Sequence, residues 1–281
     1  MKAYTSNNIR NIAVLGHGGK GKTTLCEAML YIAGASDRLG RVADGNTVLD
    51  FDSEEKRRKS SVSSAIAALE WDNTKLNIID APGLFDFEGG AAEAVRAAEA
   101  VLIVTSAGSG VDVGTEKAFR AAEKKGAAKF FAVTKTDSDH RNFYKTFDAL
   151  KEVYGNKLCP TIIPYMEGNI TKCYVNLMTG MAFSYDENGK ATKVPVPEDS
   201  VIEEMTSAFM EAVATTDDAL MEKFFVGEQF TNEEILKGLC IGIFDGSIYP
   251  VYAVSGLTCA GVDQLLYGLA WSAPGAFGYA G

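Results

Sequence analysis

One segment near the start of the chain has the spacing of a phosphate-binding loop. The residues Gly16-His17-Gly18-Gly19-Lys20-Gly21-Lys22-Thr23 match the pattern GxxxxGK[ST], and Thr24, which follows directly, is included in the predicted site. Glycines permit backbone angles that point successive N–H groups at phosphate oxygens, and the following helix adds the positive end of its dipole. Lys22 would contact the β- and γ-phosphates, and the Thr23 hydroxyl would bind Mg²⁺. A glycine-rich turn that only joins a strand to a helix is the alternative, which the flanking patterns disfavour.

A second motif, Asp80-Ala81-Pro82-Gly83, follows the apolar run KLNII. A carboxylate at a strand end would face the phosphate loop. Asp80 can hold the Mg²⁺ shell, usually through water, and the Gly83 N–H can contact the γ-phosphate. The DxxG pattern is weak alone, because turns of this composition arise easily.

A third motif, Thr134-Lys135-Thr136-Asp137, follows the run FFAV and fits the pattern [NT]KxD. Asp137 can accept hydrogen bonds from guanine N1 and the exocyclic amine, a pair of donors that adenine lacks, while the Lys135 stem can pack over the base plane. In this order and spacing the three motifs predict binding of GTP or GDP with Mg²⁺. An ATP-using P-loop enzyme is the alternative if Asp137 does not face the base.

The elements that must position these motifs follow an α/β pattern. Apolar runs predict strands at 11–15, 61–71, 75–79, 100–104, 130–133 and 161–164, and helical patterns occur at 22–33, 114–125 and 143–154. This alternation predicts a P-loop NTPase fold, with a mostly parallel wound sheet and helices on both faces.

The pattern of the sequence changes after about residue 165. Turn-rich stretches such as DENGK separate the short β-like runs CYVNL and MAFSY, and an acidic helical region covers about 199–246. The run IYPVYAV and a helix at 262–273 then return to the main sheet. We therefore expect one GTP-binding domain over 1–281, with an inserted α+β subdomain at about 165–248.

Composition limits the class of protein. The 281 residues carry a net charge of -10, which argues against wrapping nucleic acid by bulk electrostatics but leaves local contacts with a nucleoprotein possible. No segment reaches the roughly 18 apolar residues of a membrane span, and the N-terminus lacks a signal-peptide pattern. Five scattered cysteines without a CxxC pair fit a reducing compartment, so we predict a cytoplasmic, monomeric domain with no membrane partner.

The motifs together resemble the N-terminal G domain of the elongation factor G family of translational GTPases. GHGGKGKTTLCEAMLYIAG and LNIIDAPGLFDF resemble its first strand–loop–helix and its DTPGHVDF segment, and the similarity continues through EAVATTDDALMEKFFVGEQFTNEEI into IYPVYAVSGLTCAGVDQLLYGLA. The resemblance implies that Ser61, at the end of a switch I segment, takes the place of a Mg²⁺-binding threonine. It also implies that Ser255-Gly256-Leu257 closes over the base, that later domains follow, and that the ribosome is the partner.

Three positions depart from that family pattern. Leu84 replaces the histidine that positions the attacking water, and a leucine side chain makes no hydrogen bond. Gly19 replaces the P-loop aspartate that helps to hold a monovalent cation. Lys20, one position later, adds a charge that could partly substitute for that cation, although Gly19-Lys20 could also be a tolerated loop variant. Leu84 could equally pack against a neighbouring helix, with catalysis supplied elsewhere.

These departures leave two functions open. One is a ribosome-stimulated GTPase whose isolated turnover is very slow, with charge stabilisation from Lys22 and Mg²⁺. The other is a regulatory module that binds guanine nucleotide and whose hydrolysis is vestigial. His17 would be structural and His140 a surface residue. The segment 35–59 has little regular periodicity and is expected to be mobile without a triphosphate, and its basic run Lys56–Lys59 is either a solvated face or a contact surface.

Overall fold

The computed structural model describes residues 2–138 and 142–276, apart from the side chain at position 85. The strands in this part of the chain are β1 (Ile9–Leu15), β2 (Ala65–Trp71), β3 (Thr74–Asp80), β4 (Ala100–Ser106), β5 (Ala128–Thr134), β6 (Leu158–Glu167), β7 (Ile170–Asn176), β8 (Met181–Tyr185), β9 (Ala191–Val194) and β10 (Tyr249–Ala253). The helices are α1 (Lys22–Ile32), α2 (Ser53–Arg58), α3 (Glu88–Ala97), α4 (Val113–Lys125), α5 (Phe143–Tyr154), α6 (Ser200–Ala214), α7 (Asp218–Val226), α8 (Asn232–Asp245) and α9 (Val262–Ser272).

The strands form one sheet in the order β2-β3-β1-β4-β5-β10-β6-β7-β8-β9. Every pairing from β3 across to β6 is parallel, whereas β2 and the strands β7 to β9 pair antiparallel. All residues of β4 and β5 are buried, as expected for central strands covered on both faces. The predicted class, a mostly parallel wound sheet with helices on both faces, is confirmed.

The parallel strands bring the three predicted motifs to one edge of the sheet. Val14 near the end of β1 lies opposite Asp80 at the end of β3, and Ser106 ends β4 opposite Thr134 of β5. The end of β10 is beside the end of β5, with Ala253 opposite Val133. In open α/β sheets, ligands bind outside the carboxyl ends of such strands.

The strands β7 to β9, which fall within the predicted insertion, extend the same sheet. β6 pairs parallel with β10 and antiparallel with β7, and β8 and β9 continue outwards. The turn Asp186–Lys190 joins β8 to β9, and α6 then packs back on β6 while α8 contacts α9 and β10. The limits of an inserted subdomain at about 165 and 248 stay a prediction.

One local prediction is wrong, and the mobility expected of 35–59 stays a prediction. The strand expected from Ser61 begins only at Ala65, because the Ser61 hydroxyl is turned towards Asp50 and the Ser64 hydroxyl donates to the Gly90 carbonyl. The segment 35–59, which lacks a periodic pattern, nevertheless contains α2. Its signal is the capping box Asp52–Glu55, in which the Glu55 carboxylate accepts from the Asp52 N–H at 3.2 Å.

None of the helices in the described ranges has the length and apolar character of a membrane span.

Candidate nucleotide-binding site

The loop between β1 and α1 has the backbone shape expected of a phosphate cradle. Gly16, Gly19 and Gly21 have φ angles of 140°, 76° and 88°, and Gly21 directly precedes the first turn of α1. Lys22 and Thr23 are nearly buried at that helix start, where backbone N–H groups have no partner within the helix. The loop can therefore present N–H groups, the helix dipole and the Lys22 ammonium to one anion.

Gly83 follows β3 and lies directly against this loop. A Cβ atom at Gly83 would lie 2.1 Å from Lys22 Nζ and 2.8 Å from Gly18 N, so no larger residue fits. The Lys22 ammonium donates to the His17 carbonyl at 3.1 Å. The DxxG segment is thus close enough to the phosphate loop to respond to a bound phosphate.

A chain of four oxygen-bearing side chains lies beside Lys22. The Thr23 hydroxyl donates to Asp80 Oδ2 at 2.6 Å and lies 3.1 Å from the Ser61 hydroxyl, which in turn donates to Asp50 Oδ1 at 2.7 Å. The predicted ligands Thr23, Ser61 and Asp80 are therefore brought together, and Asp50 is an addition that the sequence did not single out.

The electrostatics of this cluster favour a bound cation. Asp80 Oδ1 and Asp50 Oδ2 are buried and have no hydrogen-bond partner in the described part of the chain. Burial raises the pKa of the Asp80 carboxyl to about 7 and also raises that of Asp50, while burial lowers the pKa of Lys22 despite the nearby Asp80. Carboxylate and hydroxyl oxygens are the ligands that Mg²⁺ prefers, usually completed by waters and substrate phosphates, so these residues fit a phosphate-bound Mg²⁺.

A second, smaller cleft adjoins the phosphate pocket. Its walls are Gly21, Thr24, Thr134, Lys135, Asp137, Ser255, Gly256 and Leu257, which include all of the predicted base-contacting residues. Asp137 is exposed in this cleft, whereas Ser255 is fully buried and its hydroxyl accepts from the Thr258 N–H at 3.2 Å. Gly256 packs against the backbone of Thr24, within 3.0 Å of where a Cβ would lie.

The motif Thr134-Lys135-Thr136-Asp137 is connected to the phosphate loop by side-chain hydrogen bonds. The Thr134 hydroxyl donates to the Lys20 carbonyl at 2.6 Å and lies 3.0 Å from the Thr105 carbonyl oxygen. The Lys135 ammonium donates to the Gly19 carbonyl at 2.8 Å, which lays its stem along the wall shared by the two pockets. The Thr134 hydroxyl and the Lys135 ammonium thus hold this motif against the phosphate loop.

Comparison with known proteins agrees with this geometry. The model of the elongation factor Tu GTP binding domain family matches residues 7–274. The chain belongs to this family. It is therefore a GTP-binding domain of the translational GTPase type, as the motifs predicted.

Relatives of this G domain are longer proteins. Two proteins described as "Elongation factor G-like protein", from Mycobacterium tuberculosis strains CDC 1551 / Oshkosh and H37Rv, are each 33% identical over 261 residues, covering 92% of this chain and 36% of their own length. A crystal structure of a protein from Thermus thermophilus matches with a TM-score of 0.89 and 35% identity, covering 96% of this chain and 41% of that one. The G domain thus spans about a third of the length of the curated relatives.

Leu84 follows Gly83 directly and lies against the phosphate loop. Its side chain is 39% exposed, and its Cδ2 would lie 3.0 Å from a Cβ at Gly18. It also lines a groove of about 330 Å³ between α3 and α4, with Ala91 and Ala118 among the walls. Leu84 therefore covers the phosphate loop with an apolar surface.

Lys20 does not direct its charge into the phosphate pocket. Its ammonium lies 3.1 Å from Asp112 Oδ2 and donates to the Ser109 hydroxyl at 2.9 Å. Asp112 is also the N-cap of α4, where it accepts from the Thr115 N–H. The expectation that Lys20 could stand in for a monovalent cation finds no support in this placement, which instead ties the loop to α4.

The remaining predictions concern surface residues of the G domain. In the basic run, Arg57 and Arg58 both pair with Glu54 on the exposed side of α2, whereas Lys59 has a left-handed φ of 54° and lines the phosphate pocket. The run is therefore divided between a solvated face and a pocket wall. The prediction for His140 falls outside the described residues.

Asp50 is the main residue that sequence reasoning missed. It lies in the carboxylate-rich stretch LDFDSEE, where no motif separates it from Asp52. The structure does separate them, because Asp50 is buried beside Ser61 while Asp52 is exposed and caps α2.

Proposed function

We propose that this G domain binds GDP and GTP with Mg²⁺ and acts as the nucleotide switch of an elongation factor G-like protein on the ribosome. One observation carries the proposal: the phosphate pocket and the base cleft share Gly21, Thr24 and Lys135 as walls. They form one continuous trough, with Lys22 and Asp50 at one end and Asp137 at the other. A nucleoside di- or triphosphate fits such a trough, because it carries phosphates at one end and a base at the other.

In this proposal Lys22 and the loop N–H groups hold the β- and γ-phosphates, and Thr23, Ser61, Asp80 and Asp50 hold Mg²⁺ directly or through water. Mg²⁺ would neutralise negative charge that develops on the phosphates during hydrolysis. Asp137 accepts the two guanine donors, and the backbone of Ser255-Gly256-Leu257 faces the carbonyl side of the base.

Hydrolysis by the isolated domain is proposed to be very slow. Charge stabilisation by Lys22 is in place, but Leu84 cannot orient a water molecule, and positioning contributes orders of magnitude to such reactions. A turnover rate comparable with that of a fully activated GTPase would contradict this proposal.

The decisive test of nucleotide binding is calorimetric titration of GDP, GTP and ADP into the domain with Mg²⁺. Binding of GDP and GTP with no detectable binding of ADP is the expected result. Equal binding of all three would mean that Asp137 does not read the base, and an ATP-using enzyme would then be the better proposal.

A second candidate, a regulatory module with vestigial hydrolysis, is favoured by the exposed apolar side chain of Leu84. Phosphate release by the full-length protein, measured with and without ribosomes, separates the two functions. Strong stimulation supports the GTPase, and Leu84→His should then increase the stimulated rate further. Absent stimulation in both the native and the Leu84→His protein, with GTP binding intact, supports the regulatory module.

The wider context of the domain is also a proposal. We expect a monomeric domain in the cytosol. All five cysteines are free thiols that are buried or partly buried, as expected in a reducing compartment. The ribosome is the expected partner because of the elongation factor G-like relatives, and the domains that follow in those relatives would form most of that contact.

A further inference from the structure

The inserted strand β7 contacts the guanine-recognition motif through a buried tyrosine. The Tyr174 hydroxyl lies 2.7 Å from Thr136 Oγ1, which is also 3.0 Å from the Val254 carbonyl oxygen. Since the single hydroxyl hydrogen of Thr136 is directed at that carbonyl, Tyr174 is the donor to Thr136. Tyr174 therefore fixes the side chain of the residue that separates Lys135 from Asp137.

The backbone of the same residue is held from β7 as well. The Thr171 hydroxyl donates to the Thr136 carbonyl at 2.8 Å. Next to it, Lys135 has a left-handed φ of 61°, a strained conformation for a residue with a side chain that persists only where its surroundings enforce it. The hydrogen bonds to the side chain and to the backbone carbonyl of Thr136 supply that enforcement.

The turn between β8 and β9 contacts the loop after β10, which also borders the base cleft through Ser255-Gly256-Leu257. A Cβ at Gly189, in the turn between β8 and β9, would lie 2.4 Å from Cys259 Cβ and 3.3 Å from the Thr258 carbonyl oxygen. Cys259 also has a left-handed φ, of 58°, and Thr258 donates its N–H to Ser255. Both loops that border the base cleft thus contain a strained residue next to the inserted strands.

Tyr174 is placed to act through its hydroxyl rather than through bulk alone. It is 4% exposed and makes an edge contact with Tyr185, whose hydroxyl donates to Asp263 at 2.7 Å. Burial keeps the pKa of Tyr174 well above its usual value, with a further contribution from the charge of Asp137. The hydroxyl therefore stays a donor at neutral pH, and Asp137 lies close enough to influence it.

We propose that Tyr174 is a positioning residue for guanine recognition, which holds Thr136 so that the Asp137 carboxylate meets the two donors of the base. The inference rests on the proposed binding of guanine nucleotides. It means that displacement of the inserted strands weakens base discrimination before it weakens the phosphate contacts, because Lys22 and Thr23 have no contact with β7 among the hydrogen bonds of the described residues.

The test compares GDP with IDP, whose hypoxanthine base lacks the exocyclic amine, in wild-type domain and in Tyr174→Phe. Loss of one hydroxyl hydrogen bond should lower GDP affinity about three- to tenfold, mainly through faster dissociation. IDP, which makes one hydrogen bond fewer to Asp137, should lose less, so the ratio of GDP to IDP affinity should fall. Thermal unfolding of each variant checks that the fold is retained.

Tyr185→Phe is the matched control, because it removes a partly buried tyrosine hydroxyl from the same aromatic pair but leaves Thr136 untouched. It should leave the ratio of GDP to IDP affinity unchanged. Thr136→Val should lower the ratio as Tyr174→Phe does, and the double variant should lose less than the sum of the two.

The outcomes separate the two proposals. Wild-type domain that does not prefer GDP over ADP contradicts the proposed function itself. If wild-type domain prefers GDP but Tyr174→Phe leaves the GDP to IDP ratio within twofold of wild type, the positioning role is wrong. Equal losses for GDP and IDP, or the same fall in Tyr185→Phe, would show a structural role only and would likewise overturn the inference.

Discussion

At the proposed base end of the nucleotide site three polar side chains are already hydrogen-bonded to the protein, whereas at the proposed phosphate end two carboxylates are only partly so. Thr134, Lys135 and Thr136 each donate to a backbone carbonyl of a neighbouring loop. In contrast, Asp50 and Asp80 each retain a buried carboxylate oxygen without a hydrogen-bond partner among the described residues. The two ends of one site are thus built on different principles.

The difference indicates which part of the site is completed only when the ligand binds. A network with satisfied hydrogen bonds is rigid, so the base end can select its ligand by geometry. Buried charges without partners destabilise the fold until opposite charge arrives, so the phosphate end is completed by the cation and the phosphates. Variants at the base end should therefore alter selectivity, and variants at the phosphate end should change affinity and the stability of the free domain.

The largest expected effect is at the phosphate end. Lys22→Ala should lower GDP and GTP affinity by roughly 100-fold or more, because the bound phosphates lose their buried cationic partner. Calorimetry measures both constants. Lys20→Ala is the informative comparison, since that ammonium is paired with Asp112, and its loss should be about fivefold at most. Comparable losses in the two variants would mean that Lys20 contributes to phosphate binding as Lys22 does, in spite of its pairing with Asp112.

At the base end, Asp137→Asn should lower GDP affinity about 30-fold, because the amide cannot accept both guanine donors. Affinity for XDP should rise, since an amide N–H can donate to the carbonyl that xanthine carries in place of the amine. Competition binding of GDP and XDP measures both changes. Asp148→Asn, on the exposed side of α5, should alter neither. Unchanged preference for GDP in Asp137→Asn would remove the basis for guanine recognition.

Asp50→Asn sharpens the comparison, because its two effects should have opposite signs. Without nucleotide and Mg²⁺, replacing a buried charge by an amide should raise the Tm by about 2 °C or more. With Mg²⁺, GTP affinity should fall about tenfold, since one charged group near the cation is lost. Thermal scans in EDTA and calorimetry with Mg²⁺ measure the two effects.

Asp52→Asn is the matched control for that experiment, because asparagine is as good an N-cap as aspartate and position 52 is exposed. It should change neither the Tm nor the affinity measurably. A fall in Tm for Asp50→Asn would contradict the view that the phosphate end is electrostatically incomplete.

The sequence predicted the parts of this site that depend on local pattern. The glycine-rich loop, the DxxG segment and the TKTD segment each follow an apolar strand, so their meeting at one sheet edge follows from the parallel order. Pattern alone did not reveal Asp50 or Tyr174. Asp50 acts through a loop with no periodicity, and Tyr174 reaches Thr136 only because β7 folds back along β6, a contact between residues far apart in the chain.

The fold shows the same division. Buried central strands such as β4 and β5 were predicted from continuous apolar runs, and α5 from its helical spacing. The start of β2 and the short helix α2 were missed, because tertiary hydrogen bonds to Ser61 and a single capping box decide them. Sequence patterns thus gave a good account of elements fixed by burial and a poor one of elements fixed by polar contacts.

The smallest expected effect concerns the anchor of the segment before Asp50. Glu27 on α1 is fully buried, and its Oε1 accepts from the N–H groups of Val48 and Leu49 at 2.8 and 2.9 Å. Glu27→Ala would leave both amides without an acceptor and loosen the chain that carries Asp50 and Ser61. GTP affinity with Mg²⁺ should then fall about threefold, while the GDP to IDP ratio stays constant.

Limited proteolysis and calorimetry together test this anchor. Cleavage within residues 40–52 should become faster in Glu27→Ala, because loosened segments open more often. Glu27→Gln keeps an acceptor oxygen for Val48 and Leu49 and should cleave at the native rate. If Glu27→Ala instead lowered the GDP to IDP ratio, a change at the phosphate end would have reached the base cleft, and the two ends could not be treated as independently built.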